Sequence, residues 1–357
     1  MLKTNIECAP AAADTAFAPP IFTTDAKSFR NLNSLLIRNF QCPGDVVLLT
    51  AAVRDLYRAT CGQLKIAVET SCPEIWSFNP YISHFDRSGD FQTINCEYPL
   101  IHRSNQVPYH FIHGFVQYLE DALGIQIPLT EFKGDIHIGE IEKTWMSQME
   151  ELGLFGDFWV LIAGGKYDFT AKWWNPSSFQ AVVDHFADRI RFVQCGEAGH
   201  WHPPLRGVVD LLGKTDLRQF IRLIYHSVGV VCPVTFAMHA AAAIPSRPGR
   251  PPSRACVVLA GGREPAHWEA YPNHRYLCNN GALPCCLQGG CWKSRCQKVN
   301  DGDPKDWENL CMQPVQIQPS LHIPKCMDMI RPEDVIRAIE SYYEGGVLHY
   351  ANFGRDG

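Results

Sequence analysis

The sequence has no surplus of positive charge. Its 32 Lys and Arg stand against 37 Asp and Glu, a formal net charge of −5. A nucleic-acid partner, which calls for a basic face, is therefore not expected. Arg247, Arg250 and Arg254 lie close together, but they make only a small local patch. Long apolar runs are missing too. The nearest candidate, Val228–Pro245 (VGVVCPVTFAMHAAAAIP), has no formal charge. It carries Pro233 and His239 and splits into a strand-like and a helix-like half, so no transmembrane segment is expected. Residues 1–20 lack the apolar stretch of a secretory signal. The expected location is cytoplasmic, where the fifteen cysteines should be mostly thiols or metal ligands rather than disulfides. Neither a Walker loop nor a GxGxxG fingerprint occurs where glycines follow a strand.

What remains is an ordinary globular composition, 46% hydrophobic and 19% charged over 357 residues. That length exceeds the roughly 250–300 residues at which a single core stops growing, so two domains are expected. Apolar runs at Leu35–Phe40, Leu64–Glu69 and Phe91–Cys96 read as strands. They alternate with helical spacing at Val46–Thr60 and His110–Leu123. The pattern then restarts with strands at Phe158–Ala163, Ile190–Cys195, Val228–Cys232 and Arg254–Ala260. Helices are expected between them at Pro176–Asp188 and Asp216–His226, and a last one at Pro332–Tyr343. This alternation predicts an α/β chain of two doubly wound, parallel-sheet halves. The expected divisions are an N-terminal arm at 1–31, a first Rossmann-like domain at 32–150 and a second at 151–277. A Cys-rich segment at 278–330 and a helix and tail at 331–357 follow.

Five places carry chemistry. Asp45, in the turn after the first strand, sits where a helix N-cap is favoured and equally where a base at a sheet mouth would sit. Gly164 and Gly165 end a strand and let the backbone approach a phosphate, with Lys172 as a nearby point charge. Glu197 follows another strand, placed to meet ribose hydroxyls; His200 and His202 beside it read more simply as structural. Thr235 and His239 bracket the start of a helix, where free N–H groups favour phosphate. Seven cysteines (278, 285, 286, 291, 296, 311 and 326) crowd one Gly/Pro/Asn/Asp-rich stretch. Such a loop-rich segment is most economically held by a tetrahedral metal, iron or zinc.

Taken together, GDVVLLTAAVRDLY (44–57), TAKWW (170–174), CGE (195–197), LLGKTDLRQFIRLIYHS (211–227) and VTFAMHAAAAIP (234–245) resemble glycosyltransferase family 9, the ADP-heptose heptosyltransferases. The resemblance implies a GT-B fold, two Rossmann-like domains facing a cleft, with the nucleotide held by the C-terminal one. It implies Asp45 as general base, Lys172 facing the donor diphosphate, Glu197 near the ribose and Thr215 near adenine. Thr235 and His239 would stand at the phosphate-binding helix start. The chain departs from the family's Asp-Thr-Gly-x-x-His in reading Val234-Thr235-Phe236-Ala237-Met238-His239. The Cys-rich segment resembles that of the bacterial autotransporter heptosyltransferases, whose four cysteines hold iron. Cys291, Cys311 and Cys326 would be ligands here, with Cys286 or Cys285 as the first. The implied activity is an inverting transfer of heptose from ADP-heptose without a catalytic divalent ion. Its acceptor would be a glycan, a protein serine or a small molecule, and its further partner a second copy of the chain in a homo-oligomer. Two other readings stand beside it: a transferase of another nucleotide sugar, and a binding or scaffolding module that has lost donor chemistry.

Overall fold

The computed structural model describes residues 32–84, 89–96 and 100–350; the expected arm at 1–31 lies outside them. The chain divides into two compact units, one within residues 32–102 and 109–137, the other comprising 103–108 and 138 onward. The division thus falls earlier than the expected join near residue 150, and the short helices that follow it belong with the second unit.

In the first unit β1 (Ser34–Asn39) lies between β2 (Lys65–Thr70) and β3 (Gln92–Asn95), all parallel. Helix α1 (Pro43–Ala59) begins on a proline in its first turn and is buried from Asp45 to Leu56. Its sequence is apolar nearly all round, as a helix with no solvent face must be. Two charged residues interrupt it. Arg54 bonds its neighbour Asp55 and donates to the carbonyls of Glu131 (2.8 Å) and Lys133 (3.1 Å). The pair is paid for in hydrogen bonds and ties the 130–135 loop to the helix. Helix α2 (Phe111–Leu123) stops at Gly124, whose φ of 66° suits glycine.

The second unit is built on six parallel strands: β4 (Phe158–Leu161), β5 (Arg191–Gly196), β6 (Val209–Leu212), β7 (Gly229–Pro233), β8 (Ala255–Gly261) and β9 (His274–Cys278). Their order across the sheet is β6-β5-β4-β7-β8-β9. This is the 3-2-1-4-5-6 order of a dinucleotide-binding Rossmann sheet. The short helices α3 (Glu140–Lys143) and α4 (Gln148–Glu151) lead into it. Helices α5 (Pro176–His185), α6 (Leu217–His226) and α7 (Phe236–Ala243) connect the strands. Farther on come α8 (Ala266–Glu269), an antiparallel pair β10 (Pro314–Gln318) and β11 (Leu321–Pro324), α9 (Lys325–Asp328) and α10 (Pro332–Glu344). The core joins Trp159, Phe179, Phe186, Phe192, Val231 and Val257 to Ile339 and Tyr342 of α10, so the last helix is part of this unit rather than a tail. Gly229 is glycine because a Cβ there would stand 2.5 Å from the Trp159 ring. Among the described residues no helix is long and apolar enough to cross a membrane.

The arginine cluster at 247–254 is not a basic patch. Arg254 is buried and donates to the carbonyls of Tyr225, Ser227, Ala241, Ile244 and Pro245, closing the ends of α6 and α7. Arg250 is paired with Asp157. Burial beside Arg254 pulls the His274 imidazole down to about 3. Burial and Arg247 pull His226 down to about 4. Both histidines therefore stay neutral when folded but take up protons near pH 6.5 when unfolded. Their contribution is fully present above pH 6.5 and is lost as pH falls through about 4 and about 3. In urea unfolding, His274→Leu should flatten the decline in stability between about pH 6.5 and 5 relative to the unsubstituted protein. An unchanged slope would contradict a neutral buried imidazole.

Candidate functional site

Strand order reverses between β4 and β7, and in open α/β sheets ligands bind beyond the carboxyl ends of strands at such a point. The loop after β4 runs through Gly164 and Gly165 into a 3₁₀ turn, Tyr167–Lys172. The loop after β7 is two residues, Val234 and Thr235, before α7 begins. Lys172 joins the loops: its Nζ donates to the Val234 carbonyl at 3.0 Å. Thr235 is the extended N-cap of α7, yet its hydroxyl makes no capping bond. The Thr235 Oγ1 is buried without a hydrogen-bond partner among the described residues. An uncapped helix start with an idle hydroxyl and an adjacent ammonium group is an anion site in its parts.

A third loop completes this ground, and the sequence reading missed it. After β8 the chain reads Gly261-Gly262-Arg263-Glu264. Glu264, 4% exposed, accepts from Lys172 Nζ at 3.0 Å and from Arg263 Nη1 on the same oxygen, Oε1. Burial pushes its carboxyl up, but Arg263 and Lys172 outweigh that and hold it below the usual range. The signal was available: glycines ending an apolar strand, then a cation, the same pattern read at Gly164, Gly165 and Lys172.

The other expected residues are distributed as follows. A Cβ on Gly164 would stand 2.0 Å from the Trp201 carbonyl, and one on Gly196 2.2 Å from the His202 ring. The close approach that these glycines allow is therefore made by the chain's own Trp201–His202 turn, which also bridges to Gly165. Glu197 is exposed and lies 3.5 Å from His200. Thr215 lies against the end of the same strand: Gly213 N donates to the Gly196 carbonyl at 2.9 Å, and Thr215 Oγ1 lies 3.4 Å from Cys195 Sγ. His239 is buried, its Nδ1 2.9 Å from the Tyr271 hydroxyl and its Nε2 3.3 Å from Glu269. These partners fix α7 from its inner side. Asp45, in the first unit, is buried and accepts from Cys42 N at 2.9 Å, half of a capping box at the start of α1.

Among the described residues thirteen cysteines are free thiols. Cys285, Cys291, Cys311 and Cys326 line one small cavity beside Arg263, Lys293 and Lys325. Cys286, expected as the first ligand, instead aims its thiol at the Leu283 carbonyl (3.4 Å) and the Asn279 carbonyl (3.6 Å). The Cys296 thiol bonds Cys311 and pulls it down to about 7. Among the described residues no three His, Cys, Asp or Glu side chains are placed to hold a metal ion. The thiols are gathered, with the softness a zinc or iron site needs, but they do not stand as a ligand set. The expectation of metal-free transfer supposed that the chain has no Asp-x-Asp triplet; it has one in this segment, Asp301-Gly302-Asp303. Its carboxylates are taken up by Arg295 (2.7 and 2.8 Å to Asp301) and Lys305 (2.6 Å to Asp303).

No protein-family model matches the sequence, and no curated protein matches it. Solved structures do. A glycosyl transferase family 9 protein from Veillonella parvula superposes with a TM-score of 0.59 at 14% identity, over 88% of this chain and 97% of its own. The ADP-heptose LPS heptosyltransferase II of E. coli gives 0.53 at 14% identity, over 88% of this chain and 100% of its own. TibC, an iron-containing dodecameric glycosyltransferase from enterotoxigenic E. coli, gives 0.54 at 13% identity, over 88% and 77%. At these identities the likeness carries the fold, an α/β architecture of GT-B type with parallel sheets. The tightness of the ground beneath Glu197 can be tested directly. Gly196→Ala should force the Trp201–His202 turn outward and cost about 1–3 kcal/mol in urea unfolding; a neutral effect would mean that the turn is not packed as described.

Proposed function

We propose that the protein is a glycosyltransferase that moves heptose, or a closely related sugar, from ADP-heptose to an acceptor hydroxyl with inversion. The observation that carries this reading is the convergence of Lys172, Thr235 and the α7 N-terminus at the strand-order reversal of a Rossmann sheet. It is supported by the fold shared with an ADP-heptose heptosyltransferase. As the glycosidic bond to the diphosphate breaks, negative charge grows on the leaving ADP. Lys172 and the free N–H groups of α7 stabilise that charge where it develops. Thr235 contributes the hydroxyl that no other described residue uses. Glu197 meets the ribose and Thr215 the adenine. His239, held by Tyr271 and Glu269, acts by fixing α7 rather than by touching phosphate.

Asp45 is the base in this reading, taking the proton of the attacking hydroxyl. In Asp45→Asn, turnover measured as ADP release should fall by roughly 10²-fold or more, with ADP affinity within about twofold of the unsubstituted protein. Transfer at near the original rate would remove the assignment. Titration with ADP and ADP-heptose tests the reading as a whole: binding of neither would leave a binding or scaffolding module, and binding of ADP alone would point to another sugar.

A structural iron or zinc on Cys291, Cys311, Cys326 and either Cys285 or Cys286 belongs to the same proposal. It is supported by the shared cavity and by the iron named for TibC, and no catalytic step passes through it. Metal analysis of the purified protein should find about one ion per chain, bound by thiolates. A metal-free, fully folded protein would remove it. Association into a homo-oligomer is proposed on the same footing, since TibC is dodecameric.

A further inference from the structure

We propose that Arg263 is a second diphosphate-binding cation of the nucleotide site, presented there by Glu264 and by the Cys-rich segment. The inference rests on the nucleotide reading above. Arg263 is 8% exposed, and everything around it holds it still. Its Nε donates to the Lys293 carbonyl at 2.7 Å. Its Nη1 shares the Glu264 oxygen with Lys172. Its guanidinium lies 5.2 Å from the Phe169 ring centroid and 5.7 Å from that of Trp292. Lys172 Nζ lies 5.4 Å from the same Phe169 ring. Two cations are thus held on one carboxylate oxygen and beside one aromatic face, with Lys172 also bonded to the residue before Thr235.

The count of donors gives this arrangement its function. An arginine has five N–H bonds in a fixed fork. Here one is spent on Lys293 and one on Glu264, and Nη2 has no partner among the described residues. Nη2 is not sealed from solvent, so its donors stand open to a ligand that reaches the loop. Two cations against one carboxylate leave a net positive charge beside an uncapped helix start, and a planar fork suits phosphate oxygens better than an ammonium does. Glu264 is the internal counter-ion that holds the pair together.

The Cys-rich segment is what sets this geometry. Cys291 N donates to the Gly262 carbonyl and Trp292 N to the Arg263 carbonyl, both at 3.1 Å. It grips the Lys172 loop as well: Ala171 N donates to the Ser294 carbonyl at 3.0 Å, and Cys296 N to Thr170 Oγ1 at 2.7 Å. One stretch, residues 291–296, therefore braces both cationic loops.

The test compares ADP with adenosine, which keeps the base and ribose and lacks phosphate. Dissociation constants for both are measured on the full-length protein by calorimetry or NMR titration, for the unsubstituted chain, Arg263→Ala and Arg263→Lys. Arg263→Ala should weaken ADP roughly 10- to 100-fold, leave adenosine within about twofold, and reduce the salt dependence of ADP binding. Arg263→Lys should fall between, since it keeps the charge and loses the fork. If Arg263→Ala does not fold, Arg263→Lys carries the test through the same ADP-to-adenosine ratio. An unchanged ratio, or equal losses for both ligands, would overturn the role of Arg263 while leaving the nucleotide site standing. An unsubstituted protein that binds neither ligand would instead overturn the nucleotide reading, and this proposal with it.

Discussion

The all-parallel sheet of the second unit, with its order reversing between β4 and β7, is the constraint on which everything at the site depends. Parallel strands need crossover connections, and those crossovers have a fixed hand. Strands after the reversal send their helices to the opposite face from strands before it, so a gap opens between the loops that follow β4 and β7. Lys172 lies in the first of those loops, and Thr235 in the second. Arg263 lies in the next loop along, after β8. The strand order therefore brings together residues far apart in sequence with no need for a contiguous motif. This is why the site is recognisable here without a Walker or GxGxxG loop.

Much of the fold was legible because a buried parallel strand has apolar residues on both faces. β4 (FWVL) and β8 (ACVVLAG) are buried at every position, and both were expected within two residues of where they fall. β6 (VDLL) and β9 (HRYLC) were not expected. They are the two outer strands of the sheet, with half-buried or exposed positions, and only pairing with a neighbour distinguishes them from loop. The site was legible to the same degree. Lys172 and Thr235 follow obvious strands and were named; Arg263 and Glu264 follow an equally obvious one and were not. Asp45 shows the other limit, since a capping carboxylate and a base occupy the same place in sequence, and a capping box is what Asp45 forms at the start of α1. The grouping of the cysteines was least legible, because proximity of thiols depends on side-chain directions that spacing does not encode. Cys286 turns to backbone carbonyls while its neighbour Cys285 lines the cavity.

Four buried guanidinium groups show how differently this chain treats one charge. Arg54 is neutralised by an adjacent aspartate and two carbonyls. Arg254 has no carboxylate partner among the described residues and donates to carbonyls at two helix ends, where the helix dipole is negative. Arg295 is fully buried within a cage of Asp168, Asp301, Asp303 and Asp306, and the Asp-x-Asp triplet serves as its counter-charge. In each of these three, the charge is matched by groups that belong to the local fold. Arg263 differs: it shares its carboxylate with a second cation and keeps idle donors.

That contrast bears on the turn around Thr235, where the chain reads Val234 and Phe236 in place of the Asp and Gly that the family resemblance would lead one to expect. Val234 is 3% exposed, so a carboxylate at this position would have to be buried. The Val234 backbone carbonyl takes the Lys172 ammonium group, and the second half of that ammonium's partnership comes from Glu264. A carboxylate has in effect been supplied from the loop after β8 instead of the loop after β7. Phe236 packs its ring 5.9 Å from Phe220 of α6, so its bulk is turned against a neighbouring helix. The helix start thus remains uncapped, with the Thr235 hydroxyl idle beside it. At this turn the acidic partner of Lys172 therefore comes from the loop after β8, and the backbone carbonyl partner from the loop after β7.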